Sequence, residues 1–288
     1  MKGVRFAPSP TGRFHIGNLR TAWIASRIGH LLAEPLIVRV EDIDSARSRT
    51  EFKTLQIADL KRVGVIADEL VIQSDRYPRH LELFNRARND GLIYPCDCSR
   101  KDVLEALAGL RSAPHGREAE YSGRCRTRLR GDMHPSETLA WRWRSKLEAD
   151  GRFDVIVART NPDGSQFTPG YHWACAIDDA DGDYRILVRA WDLEAADFTQ
   201  RQIREWVRPD IRTDVFHTSL VVKDDGSRLE KRTKGVTLDE LAATGVAAQS
   251  LVSLFERSFP FDVRLLNELI KSKGEIEKTI PLNALLGR

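Results

Sequence analysis

The sequence predicts an α/β fold: a doubly wound parallel sheet, interrupted by an inserted segment and followed by short helical stretches. Three observations carry this reading. The run from Gly3 to Phe6 reads as a strand that must leave the sheet at Pro8 and Pro10, because proline removes backbone donors and forces extended geometry. Leu36-Ile37-Val38-Arg39-Val40 is a second buried strand that ends in Glu41-Asp42-Ile43-Asp44. Such a run ending in acids fits a parallel strand whose C-terminal edge faces a ligand. From Ile93 to about Pro169 the texture changes to cysteines, clustered arginines and glycines, and the α/β pattern then resumes at Tyr171.

The elements follow in order. Asn18 is placed to N-cap an amphipathic helix running to about Leu32. A helix from about Arg49 to Val63 stops near Gly64, and Val71-Ile72-Gln73 leads to a helix from Pro78 to Asp90 with Gly91 as its C-cap. After the insert come a strand from Arg185 to Arg189, a helix from Thr199 to Val207 and a strand from Thr218 to Val222. About two short helical stretches close the chain. The expected division is 1–92 with 170–225 as the discontinuous catalytic body, 93–169 as the insert, and 226–288 as a basic loop with a helical C-terminal segment.

The 288 residues are 41% hydrophobic and 30% charged, which permits one large α/β domain with an insert, or two domains. No apolar run approaches the ~20 residues of a membrane span, and no basic flank precedes an apolar segment at the N-terminus. The expectation is a cytoplasmic monomer with no membrane partner. A net charge of +3 is compatible with RNA. Four cysteines in a chain this long fit cytosolic thiols or a metal site better than a disulfide framework.

Several constellations carry chemistry. The loop Ala7–Asn18 joins a strand to a helix N-terminus, which is a ready anion site. Gly12 and Gly17 allow close backbone approach, and His15 can donate to a phosphate. An ordinary strand–turn–helix with a surface histidine reads the same way. Arg228-Leu229-Glu230-Lys231-Arg232 is either a phosphate clamp or solvated surface. Cys96-Asp97-Cys98 with Tyr121 and Cys125 gives three thiols and a phenol, a zinc site or buried free thiols, with His115 as a competing ligand. Arg5, Glu41, Tyr171 and Arg189 fall at strand ends or helix starts, which converge on one crevice in a doubly wound sheet. Two arginines and one acid match a ligand with two carboxylates and one ammonium, the inventory of glutamate. Arginines alternate with tryptophans in Trp141-Arg142-Trp143-Arg144 and cluster from Arg124 to Arg130. This suits RNA contact and base stacking, or equally a β-hairpin with one polar face.

The stretch Arg5–Gly12 followed by His15-Ile16-Gly17-Asn18 resembles the ATP motif of class I aminoacyl-tRNA synthetases, in the form of the glutamyl branch. HxGH-like loops also occur in nucleotidyltransferases. Arg228–Arg232 resembles the second ATP motif of the same enzymes, with arginine where lysine is usual and Glu230 where a hydroxyl is usual. Cys-x-Cys with Tyr-x-x-x-Cys resembles the structural zinc site of truncated members of the glutamyl branch that act on queuosine in tRNA(Asp).

The resemblance implies a Rossmann-like parallel sheet with an inserted zinc-binding α+β subdomain and no large anticodon-binding domain. It implies His15 and Lys231 as catalytic residues, with Gly17, Asn18 and Arg228 completing the ATP site. Arg5, Ser9, Glu41, Tyr171 and Arg189 would bind glutamate, and Cys96, Cys98, Tyr121 and Cys125 would bind zinc. ATP with magnesium, glutamate and tRNA(Asp) are the implied substrates, and the reaction is tRNA-independent glutamate activation followed by transfer to queuosine. The family has Arg-Gly where this chain has Arg189-Ala190-Trp191, and the added methyl and indole are expected to alter the pocket. A divergent paralogue with another amino acid or acceptor, and a non-catalytic RNA- or adenylate-binding protein, are the rival readings.

Overall fold

A computed structural model describes residues 2–99, 102, 121–127, 138–227, 229, 236–259 and 262–287. The chain forms two compact units, one of residues 1–74, 182–194 and 210–288, the other of 75–181 and 195–209.

The first unit is built on a parallel sheet of β1 (Val4–Phe6), β2 (Leu36–Val40), β3 (Glu69–Ile72), β8 (Ile186–Ala190) and β9 (Asp214–Thr218), in the order β3-β2-β1-β8-β9. The order reverses at β1, which pairs with β2 on one side and β8 on the other. Period-two alternation then sorts the side chains. Val4, Phe6, Leu36, Val38, Ile186, Val188 and Phe216 pack with α1 (Ile16–Leu32) in one apolar core. The opposite face carries Ile37 and Leu187, buried with Tyr184.

The C-terminal segment belongs to the same core. Helices α6 (Leu238–Ala243), α7 (Ala248–Ser258), α8 (Val263–Lys271) and α9 (Leu282–Leu286) contribute Leu241, Phe255, Leu269 and Leu285 to it. The strand expected from Thr218 to Val222 is the shorter β10 (Leu220–Val222), which pairs in parallel with β11 (Thr279–Pro281), and β9 before it, ending at Thr218, was not expected. Ser219 is the break, its N–H donating 2.7 Å to Glu275. Glu275 also receives Arg20 of α1 at 2.8 and 2.6 Å, both side chains being buried.

The second unit centres on an antiparallel sheet of β4 (Ile93–Cys96), β5 (Leu139–Trp143), β6 (Ile156–Thr160) and β7 (Phe167–Pro169). It is wider than the expected insert because α3 (Tyr77–Asn89), α4 (Tyr171–Gly182) and α5 (Asp197–Val207) pack on that sheet through Leu83, Phe84, Trp173, Ile177, Ile203 and Val207. No described helix is long and apolar enough to cross a membrane.

Glu275→Ala strands Arg20 as a buried unpaired charge, and should cost about 3–5 kcal/mol in urea unfolding. The paired swap Arg20→Met with Glu275→Leu should cost far less. A loss under about 1 kcal/mol for the single variant would refute the brace.

Candidate active site and thiol cluster

The loop after β1 is fixed by backbone and side-chain hydrogen bonds. Glu41 N–H donates to Pro8 O at 2.9 Å, and Arg49 N–H to Pro10 O at 3.0 Å. Gln56 of α2 (Thr50–Arg62), itself buried, donates through Nε2 to Ser9 O at 3.2 Å and Gly12 O at 2.7 Å. A buried amide that satisfies two loop carbonyls holds the loop in one path.

His15, and not Asn18, is the N-cap of α1. Its Nδ1 accepts from Gly17 N–H at 3.2 Å, while Asn18 Oδ1 accepts from His15 N–H at 3.3 Å. Asn18 therefore sits at the third helical position of a reciprocal capping arrangement. An accepting Nδ1 puts the proton of the neutral ring on Nε2, so the cap fixes the tautomer. Gly17 packs tightly: an added Cβ would stand 3.1 Å from the His15 ring and 3.3 Å from Val221.

His15 also forms a β-bridge with Thr237, and Ile16 N–H donates to Val236 O at 2.9 Å. The basic loop between β10 and α6 is thus anchored at both ends. Val221 meets the start of α1, Val236 and Thr237 bridge to it, and Leu229 is buried in the core. Arg228, Glu230 and Lys231 lie outside the described residues, as does His115.

Strand register puts Arg5 and Arg189 on one face of the first sheet, and Glu41 directly follows the end of β2. Arg5 stands opposite Ile37 and Leu187, and Arg189 opposite His217. Arg39 lies two residues beyond Ile37, so Arg5, Arg39, Arg189 and His217 share the face opposite α1. All four are buried, and Arg39 donates to Glu41 at 2.9 Å. Sequence reasoning missed Arg39, whose signal was a charge inside an otherwise apolar parallel strand. It also missed Gln56, a polar residue on a buried helix face.

Trp191 stacks on His217 with ring centroids 4.7 Å apart, and Lys278 Nζ lies 4.5 Å from the indole centroid. The indole thus leans over β9, the strand beyond β8 from Arg5. Tyr171 begins α4 in the second unit, where it is exposed and edge-on to His172.

The second unit holds the thiol cluster. The sulfurs of Cys96, Cys98 and Cys125 all lie within 4.8 Å of one another. Tyr121 Oη is 3.5 Å from Cys96 Sγ and 3.9 Å from Cys98 Sγ, and accepts from Cys125 N–H at 2.8 Å. Hydrogen bonds from Cys125 and Cys98, then from Arg142, hold the Cys96 thiol well below the ordinary thiol range. Burial pushes the Tyr121 phenol up.

The Trp-Arg alternation is a core strand of that unit. Trp141 Nε1 donates to Thr160 Oγ1 at 3.1 Å and Trp143 Nε1 to Gln202 Oε1 at 3.0 Å, with both indoles buried. Arg142 is buried on the other face, so none of these three is available to stack on bases or meet phosphates. Arg124 remains exposed, Arg126 grips Asp154, and Arg128 and Arg130 lie outside the described residues.

Comparison with known proteins fits this arrangement. The family described as tRNA synthetases class I (E and Q), catalytic domain, matches residues 3–285. A glutamyl-Q tRNA(Asp) synthetase of Deinococcus radiodurans is 33% identical, over 89% of this chain and 88% of its own length. One from Nocardia farcinica is 32% identical, over 92% and 87%. A glutamate tRNA ligase of Elizabethkingia meningosepticum shares the fold at a TM-score of 0.63 and 21% identity, over 82% of this chain. This chain spans only 54% of that ligase, about half its length. By the reach of the family match and the end-to-end likeness to these relatives, the chain belongs to the class I (E and Q) tRNA synthetase catalytic-domain family.

Proposed function

We propose that this protein activates glutamate with ATP, without needing tRNA, and transfers the glutamyl group to queuosine in the anticodon of tRNA(Asp). The observation that carries this reading is the pair of relatives of that name, alike over nearly their whole length, combined with the buried arginine face of the first sheet. The glutamate carboxylate attacks the α-phosphorus of ATP, forming the acyl–phosphate bond as pyrophosphate leaves with the displaced electron pair. A hydroxyl of the acceptor then attacks the activated carbonyl, its proton is lost, and AMP departs.

Catalysis of this kind is positioning and charge stabilisation. Arg5 and Arg189 would grip the two carboxylates, since a guanidinium reads a carboxylate bidentately. Glu41, oriented by Arg39, would take the ammonium beside Ser9, and Tyr171 is the second unit's candidate for a glutamate contact. His15 Nε2–H would donate to a phosphate oxygen beside the helix N-terminus, with Gly17 leaving room and Asn18 holding the cap. Lys231 and Arg228 would neutralise the departing pyrophosphate, and magnesium would accompany ATP as substrate.

The thiol cluster fits zinc: three sulfurs and one phenol oxygen converge within a few ångströms, a four-donor set for a closed structural site. Cys96, Cys98, Cys125 and Tyr121 would hold the ion, which would pin the two ends of segment 96–125 together.

Three experiments test these assignments. Amino-acid-dependent ATP–pyrophosphate exchange should appear with glutamate alone and no tRNA, and labelled glutamate should end on queuosine after digestion of queuosine-containing tRNA(Asp). Exchange only with another amino acid or only with tRNA, or label on the terminal adenosine, would contradict the reading. Protein purified without chelator should carry about one zinc per chain, and Cys98→Ser should lose it. Retention of metal in that variant would refute the site, and loss in His115→Ala but not Tyr121→Phe would reassign the fourth ligand.

A further inference from the structure

We infer that Arg142 is the positioning residue of the zinc site, orienting both the Cys96 sulfur and the Tyr121 ring; this rests on the zinc reading above. Arg142 lies on β5, with Tyr94 opposite it on β4 and Cys96 two residues beyond. Only 6% of its surface is exposed. Its Nε donates to Cys96 Sγ at 3.3 Å. Its guanidinium carbon lies 3.6 Å from the centroid of the Tyr121 ring, a close cation–π stack. Its Nη1 donates to Asp154 O at 2.7 Å, which ties the group to the loop before β6. One side chain therefore touches two of the four donor residues and is itself fixed by the backbone.

A buried guanidinium needs negative charge nearby. The Asp154 carboxylate does not supply it, because it is already engaged by Arg126 at 2.6 and 2.7 Å, by Tyr94 Oη at 2.7 Å and by Ser145 N–H at 2.7 Å. The donor set does supply it. Three thiolates and a phenolate around a divalent ion sum to a charge of about −2. A phenolate makes this set more anionic than one completed by neutral histidine, and the cation lies over the ring of that extra anion. Planarity matters too: an arginine can stack on a ring and donate in its own plane at once, which a lysine cannot.

The test is zinc affinity, read by competition with a chromophoric chelator on the full chain, with the cobalt-substituted absorption spectrum as a second readout. R142M should weaken zinc about 10–100-fold, the usual effect of removing an outer-shell partner, and should shift the sulfur-to-cobalt and d–d bands. R142K, which keeps the charge but loses the stack, should fall between R142M and the native protein. W141F, on the same strand but the other face, should bind zinc as the native protein does.

Affinity of R142M within about twofold of native, with an unchanged cobalt spectrum, would overturn the assignment. So would a loss in W141F equal to that in R142M, since this would mean general loosening of β5. If R142M does not fold, R142K decides: a weakened, spectrally shifted site supports the role, and native behaviour overturns it. Native protein that takes up no zinc would remove the site itself, and is distinguishable from failure of the arginine alone.

Discussion

Parallel pairing of β1 with strands on both sides is the constraint from which the first unit follows. It sends the chain one way to β2 and β3 and the other way to β8 and β9. In a parallel sheet whose order reverses at β1, the loops leaving the C-terminal ends of β1 and β8 flank the position where such sheets bind ligands. Parallel sheets also need both faces covered. One face is closed by α1 and the C-terminal helices. The other bears Arg5, Arg39, Arg189 and His217, so guanidinium groups are concentrated on that face.

The same constraint explains how two sequence-distant motifs meet. Helix α1 starts where the loop from β1 ends, and β10 follows directly from β9. Segments on either side of the basic loop touch that helix start, through Val221 by Gly17 and Thr237 by His15. The C-terminal segment reinforces the arrangement: Glu275 receives Arg20 of α1 and Ser219 between β9 and β10. Thr21 and Thr218 add a hydroxyl pair at 2.8 Å. The residues after the basic loop thus act as a brace for both motifs.

Much of this was legible in the sequence. Prolines and glycines marked the loop, and apolar runs marked the strands. What was less legible depended on partners far along the chain. Asn18 looked like a cap from residue type alone, yet the backbone enters the helix three residues earlier and His15 takes that place. Trp141-Arg142-Trp143 has the same alternation in a core strand as in an RNA-binding hairpin, and only packing against Thr160, Gln202 and Tyr121 separates the two. Trp191 stood out as a departure from the family pattern. Its stack on His217 needs β9 beside β8, a pairing that no local pattern encodes. The two compact units likewise reflect long-range packing of α3, α4 and α5, and α4 is buried continuously from His172 to Ala180.

The central claim is that the arginine face reads the side-chain carboxylate, the one an activated glutamate retains. Calorimetric titration of a non-hydrolysable glutamyl-adenylate analogue, such as glutamyl-sulfamoyl-adenosine, tests it most directly. Native protein should bind it tightly, and Arg189→Ala should lose about 2–5 kcal/mol, because a substrate carboxylate is left without its buried partner. Equal affinity in the two proteins, or tighter native binding of the alanyl than the glutamyl analogue, would contradict the account.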